Sequence, residues 1–344
     1  VSTNNRVRGA GNCIKLEGEG AKVSVTLALA GDTMLGRTVG RRLATDPFES
    51  FIDPAVREIT AAADLFVLNL ECCVSDRGDR WRAAGKPYFF RAPPRAAELL
   101  AWLGADCVTL ANNHALDYGP LALRDTRAHL GNAGIVTVGA GVDVETARAW
   151  RVLETGELRL GVLGVTDHPA DFAAGPEWAG VAFADLHRGV PLWLIKQVAT
   201  MAAAVDIAFV TPHWGPNMTS RPVDHVRSAA RALIDAGADL IAGHSAHVAH
   251  GVAAAVLYDL GDFIDDYAVD DQLRNDLGLL FLVTIDDAGP VAVEAVPLAL
   301  DFCRTTLADQ AQTEWLHRRF RTACKELGTD VDVRPGGRMV ASLR

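Results

Sequence analysis

The feature that most constrains this chain is a repeated phrase. A short, almost wholly apolar run ends abruptly in a polar side chain able to bind a metal ion or carry a proton. VSVTLALAGD ends in Asp32, LFVLNLE in Asn69 and Glu71, and CVTLANNH in Asn112, Asn113 and His114. IAFVTPHWG carries His213, and DLIAGHSAH carries His244 and His247. Runs of this length without polar alternation are expected of strands covered on both faces. Similar runs (IVTVG, LGVLGVT, AAAVLYDL, LGLLFLVTI and VAVEAVPLAL) complete the strand set, and helix-like segments occupy 93–103, 121–131, 191–205, 223–236 and 309–327. The alternation predicts an α/β layered fold. The last two long strands have no helix between them, which predicts an antiparallel hairpin closing a second sheet.

Each polar residue alone has an ordinary explanation. Asp32 before Thr33 caps a turn, Asn113 suits a left-handed turn position, and His213 before Trp214 packs as a hydrogen-bonded imidazole. The shared position is what argues for a site, because open α/β sheets bind ligands beyond the carboxyl ends of their strands. Two carboxylates, one amide and three imidazoles offer oxygen and nitrogen donors without thiolate. That mix suits Mn²⁺, Fe²⁺ or Zn²⁺ better than Ca²⁺ or a cysteine-based structural zinc. Glu71 is suited to bridge two ions, which stand roughly 3.5–4 Å apart in binuclear sites.

Composition narrows the function classes. Hydrophobic residues make up 49% and charged residues 22% of the 344, as in a packed globular protein. A net charge of −10 and the lack of any dense Lys/Arg run argue against nucleic acid as a partner. No apolar run reaches the roughly 18–20 residues that span a bilayer. The six cysteines form no CxxC pair and are too sparse for a disulfide scaffold, so reduced thiols and a cytoplasmic setting are expected. Val1 stands where a Met is usual, which leaves room for an upstream signal or anchor. Residues 1–22, polar and Gly-rich, read as an N-terminal arm. Residues 23–344 read as one domain with a C-terminal helical extension.

Taken in order, GDTMLGR (31–37), NLE (69–71), ANNHALDYG (111–119), HWG (213–215), ALIDAGADLIAGHSAHV (232–248) and YDLGDF (258–263) resemble the poly-γ-glutamate capsule-synthesis family, CapA-type, over about residues 23–300. That family is similar to the calcineurin-like metallophosphoesterases. The resemblance implies a four-layer sandwich, two packed β-sheets flanked by helices, with one or two divalent ions above it. It also implies Asp32, Glu71, Asn113, His213, His244 and His247 as metal ligands. His114 matches the substrate-contacting histidine that acts as general acid, with Asp117 as its orienting partner. His250 lies outside the family pattern and reads as a surface or packing residue.

Several positions depart from the pattern. Met34 stands where metallophosphoesterases carry the histidine of Asp-x-His, so one ion is expected to bind tightly and the other weakly. Ser245 and Ala246 replace the histidine and proline of GHHPH, HWGPNM replaces HWG.EY, and DLGDF replaces SLGNF. Asn217 thereby removes an acidic group and Asp262 adds one. The function implied is a metal-dependent enzyme acting on an amide or γ-glutamyl-type bond by hydrolysis, transfer or ligation, on a small biosynthetic metabolite. The alternatives are a phosphatase or phosphodiesterase, and a non-catalytic partner in a biosynthetic assembly.

Overall fold

A computed structural model describes residues 24–82 and 85–344. The expected N-terminal arm lies outside the described residues. Strands β1 (Val25–Thr33), β2 (Leu65–Leu70), β3 (Cys107–Thr109) and β4 (Val136–Val138) alternate with helices α1 (Arg37–Leu43), α2 (Pro54–Ala62), α3 (Arg95–Leu103) and α4 (Gly119–Asn132). A second series follows, with β5 (Arg151–Thr155), β6 (Leu158–Thr166), β7 (Ile207–His213) and β8 (Leu240–Ala242), together with α5 (Leu192–Ala202) and α6 (Asp224–Asp235). Short strands β9 (Val252–Ala253), β10 (Val256–Leu257) and β11 (Asp262–Ile264) lead into the long pair β12 (Leu277–Asp286) and β13 (Gly289–Asp301). The chain then runs through β14 (Arg304–Leu307), α7 (Gln310–Glu326), β15 (Val331–Val333) and β16 (Met339–Ser342).

Two large sheets result. The first has the order β15-β16-β13-β12-β1-β2-β3-β4, with β11 also pairing with β1 and β14 with β13. The second has the order β9-β10-β8-β7-β6-β5. The hairpin expectation needs a correction here. β12 and β13 do pair antiparallel, but they extend the first sheet from β1 rather than closing the second.

Side-chain alternation explains the layering. In β1, Leu27 and Leu29 join an apolar core shared with Leu160 and Val162 of β6 and Phe209 of β7, while Ala28 and Ala30 face a different core. That outer core holds Leu99, Leu100 and Leu103 of α3 and Leu123 and Leu130 of α4. In β7, Ile207 and Phe209 face the shared core, whereas Ala208 and Val210 pack with α5 and α6. Strands buried on both faces need no polar alternation, so their apolar runs appear continuous. The architecture is mixed α/β, with multi-stranded sheets flanked by helices. Helix α7 contributes Leu316, Phe320 and Cys324 to the shared core. No described helix is long and apolar enough to cross a membrane.

The sheets end in a crowded edge. The β1–β2 register shifts between Ala30 and Asp32, a bulge of the kind that re-aims a side chain at a strand end. The neighbouring backbone comes so close that a Cβ on Gly31 would lie 1.8 Å from the Gly261 carbonyl oxygen. Only glycine fits there, and the approach lets the Asp32 amide donate to that same oxygen at 2.8 Å. Gly31→Ala should therefore destabilise the fold by about 2–3 kcal/mol or more through forced backbone displacement. Urea denaturation reads this as a lower midpoint, and an unchanged midpoint would contradict the close approach.

Candidate metal centre

Asp32 is fully buried and is reached from several elements. Asn69 of β2, its register partner, donates Nδ2 to Asp32 Oδ1 at 2.7 Å. After β8, the Ser245 amide donates to Oδ2 at 3.2 Å. His244 Nδ1 lies 3.6 Å from Oδ1, and His247 Nδ1 lies 3.3 Å from Oδ2. An isolated bridge between His213 and His244 carries the β7 and β8 pairing past the strand ends, which brings these two imidazoles side by side. The Trp214 amide accordingly donates to the His244 carbonyl at 3.1 Å, and its indole donates to the Tyr258 carbonyl at 2.9 Å.

Buried atoms left without partners are informative because they are rare in folded proteins. Glu71 Oε1, Asn113 Oδ1, His213 Nε2 and His244 Nδ1 are all buried and make no hydrogen bond. His213 Nε2 and Glu71 Oε1 are 3.9 Å apart, too far to bond directly. Two ligands of a common ion stand roughly 3–4 Å apart, given bond lengths near 2.1 Å. One ligand atom each from Asp32, Glu71 and His213 falls within 4.8 Å of the others. The donors that do have partners hold the rest in place. Tyr267 OH donates to Glu71 Oε2 at 3.1 Å, and Thr211 Oγ1 lies 2.9 Å from His244 Nε2. Such outer partners fix the orientation of ligand side chains. The residue set therefore fits a divalent cation.

Beside this group lies an ordered histidine–aspartate pair. His114 Nδ1 is 2.6 Å from Asp117 Oδ2, and the Phe90 amide also donates to that oxygen at 2.6 Å. Lys86 Nζ is 3.0 Å from Asp117 Oδ1 and donates to the Asn113 carbonyl at 2.7 Å. The Phe90 ring stacks on His114 with centroids 4.0 Å apart. A one-way hydrogen-bond chain links this pair to the acidic centre. The His114 amide donates to Asn112 Oδ1 at 3.0 Å, Asn112 Nδ2 to Asn69 Oδ1 at 2.9 Å, and Asn69 to Asp32.

Burial dominates the electrostatics. It pushes the Glu71 carboxyl well above the usual carboxylate range, and Asp32 nearby adds to the effect. Burial pulls His213 well below the usual histidine value and His244 down to about 4. It also lowers His114, with Asp117 opposing. His247 goes the other way. Burial disfavours its charged form, but Asp262, Glu71 and Asp32 together outweigh that and hold it well above the usual value.

This geometry sits within a recognisable sequence family. The model of the bacterial capsule synthesis protein PGA_cap matches residues 26–267. The chain belongs to this family. It is 30% identical to a probable polyglutamine synthesis accessory protein of Mycobacterium tuberculosis, over 90% of this chain and 94% of that one. It is 29% identical to the PGA biosynthesis protein CapA of Bacillus subtilis, over 70% of this chain and 63% of that one. A crystal structure of a hypothetical protein from Thermus thermophilus covers 80% of this chain and 100% of its own at 14% identity and a TM-score of 0.48, a likeness too loose to argue from.

Within this PGA_cap chain, the structure brings Asp32, Glu71, His213, His244 and His247 into one buried group. Asn113 keeps a buried, unpartnered oxygen, and His114 and Asp117 form a pair. Met34 is fully buried in the outer core, its sulfur accepting from the Gly36 amide at 3.1 Å. His250 is buried as well, with Nε2 2.8 Å from the Thr219 carbonyl, so it is a packing residue and not a surface one. Asn217 meets His247 at 3.1 Å, which is not the neighbour its position beside His213 suggests. Sequence reasoning missed the roles of Asn69, Lys86 and Tyr267. Asn69 is the register partner of Asp32 in the NLE phrase, but Lys86 and Tyr267 lie in loops without periodicity.

These shifts predict how metal-free protein responds to pH. His247, Glu71, Asp259 and Asp262 all hold protons more tightly folded than unfolded. Above the ordinary histidine value, His114, His213 and His244 are neutral in both states and cancel. The folded chain then binds more protons than the unfolded chain, so stability falls as pH rises. The thermal midpoint of chelator-treated protein should drop as the pH is raised above the ordinary histidine value of about 6.5. Divalent cation should flatten the slope by taking the place of the protons. A midpoint that rises with pH would contradict the assignment.

Proposed function

We propose that this PGA_cap protein is a metal-dependent enzyme of phosphoesterase-like sandwich architecture that acts on an amide or γ-glutamyl-type bond. The observation that carries this reading is the buried, unpartnered donor atoms of Glu71 and His213, 3.9 Å apart, and of His244, 3.6 Å from Asp32. Isolated buried polar atoms are costly, and a cation beside Asp32 would satisfy those of Glu71 and His213 together. Asp32, Glu71, Asn113, His213, His244 and His247 would hold Mn²⁺, Fe²⁺ or Zn²⁺. When bound, the ion supplies Lewis-acid polarisation of a carbonyl.

The chain's own residues supply the proton chemistry. Asp117 holds Nδ1 of His114, which fixes the ring and leaves Nε2 to face the leaving nitrogen. Burial lowers the basicity of His114, so its free Nε2 first takes a proton from the attacking nucleophile and then passes that proton to the leaving nitrogen. Lys86 neutralises Asp117 on its other oxygen and keeps that carboxylate from being an uncompensated buried charge. The names of the relatives, which refer to PGA biosynthesis and polyglutamine synthesis, support an amide substrate over a phosphate ester.

His114→Asn should lower the maximal rate by about 10²–10⁴-fold, the usual range for general acid–base help. Metal content, read by elemental analysis, should stay at the wild-type level. Loss of metal in this variant would make His114 a ligand and end its role as proton donor. Assaying metal-loaded protein on small amides, on poly-γ-glutamate and on chromogenic phosphate esters separates the substrate classes. Turnover of the esters alone would overturn the amide reading.

A further inference from the structure

We propose that Asp262 is a ligand at a second cation position, shared with Asp32 and His247, so that the centre takes two divalent ions. The inference rests on the metal-centre reading above and extends it to a residue outside the expected ligand set. The register of the sheet provides the first argument. Asp262 on β11 is the Cα partner of Asp32 on the parallel neighbour, on the opposite side from Asn69. Like charges placed side by side in a sheet repel, and burial makes the repulsion worse. Both carboxylates are nonetheless buried.

The atoms define a place for the compensating charge. Asp262 Oδ1 lies 2.8 Å from His247 Nδ1, and Asp32 Oδ2 lies 3.3 Å from the same nitrogen. One ligand atom from each of the three residues lies within 4.8 Å of the other two. Asp262 Oδ2 is buried and has no hydrogen-bond partner. Asp32 divides its oxygens, with Oδ1 toward His244 and Oδ2 toward His247. That is the arrangement of a carboxylate bridging two positions, one with Glu71 and His213, the other with Asp262 and His247.

A charged imidazole at His247 is the competing explanation. It engages Asp262 through Oδ1 alone, at 2.8 Å, and leaves Asp262 Oδ2 without a hydrogen-bond partner. A dication matches both the charge and the orphan oxygen. The backbone supports the same assignment. His247 has φ of +60°, a left-handed conformation that costs a residue with a side chain, and Asn217 holds the far side of its ring. Strain of this kind is kept where a side chain must be aimed. Met34 offers the centre no ligand, and Asp262 supplies the one that its replacement of histidine removed. This revises the expectation of one tight and one weak ion.

The test uses the full chain, stripped with chelator and titrated with Mn²⁺. Bound ions are counted by elemental analysis, and electron paramagnetic resonance distinguishes a coupled pair from isolated ions. Wild type should bind two equivalents and give the coupled spectrum. D262N, close in shape but neutral, should retain one ion, lose the second by at least roughly tenfold in affinity, and give the isolated-ion spectrum. D262N binding both ions at wild-type affinity would overturn the second position and leave the metal-centre reading intact. A wild-type chain that binds only one ion overturns it equally, without recourse to any variant. Wild type binding none would overturn the metal-centre reading itself.

Discussion

The burial of the Asp32 carboxylate is the constraint around which the rest of this protein is arranged. A carboxylate at the bulged end of a central strand, out of contact with water, is unfavourable unless its surroundings supply donors or positive charge. Here they come from every side. Asn69 reaches it from one neighbouring strand, the Ser245 amide from the loop after β8, and the imidazoles of His244 and His247 from that same loop. The glycine before it lets the Gly261 backbone close over the strand end. The two sheets meet in an apolar core, but at this edge they meet through Asp32.

Much of this was legible in the sequence because it depends on strand ends. An apolar run that is covered on both faces stands out, and the first polar residue after it must lie at the sheet edge. Asp32, Glu71, His213, His244 and His247 were found in this way, and the structure gathers them although they are far apart in the chain. The pairing of His114 with Asp117 was implied by the family resemblance and not by a strand end, and the structure places the two 2.6 Å apart.

What was not legible depends on which strands become neighbours. The apolar pattern of β12 and β13 announces a hairpin but does not say which sheet it joins. Asp262 was visible only as an acidic residue near the end of the Tyr258 run. Its place beside Asp32 comes from a parallel pairing between segments separated by most of the chain. Asn217 illustrates the same limit, because adjacency to His213 in sequence did not make it a neighbour of His213 rather than of His247. Lys86 and Tyr267 reach the centre from loops, where no periodic signal exists to mark them.

The amide chain from His114 through Asn112 and Asn69 to Asp32 has a polarity. A backbone N–H at one end can only donate, and Asp32 Oδ1 at the other end accepts, so neither asparagine is free to turn its amide over. The two side chains behave as a pair of aligned dipoles whose common direction is set by the His114 amide at one end and Asp32 at the other. The Leu70 carbonyl accepts a second hydrogen bond from Asn112 Nδ2 at 2.9 Å and holds the same direction. Asp32 is thus also the reference point from which the loop carrying His114 takes its orientation.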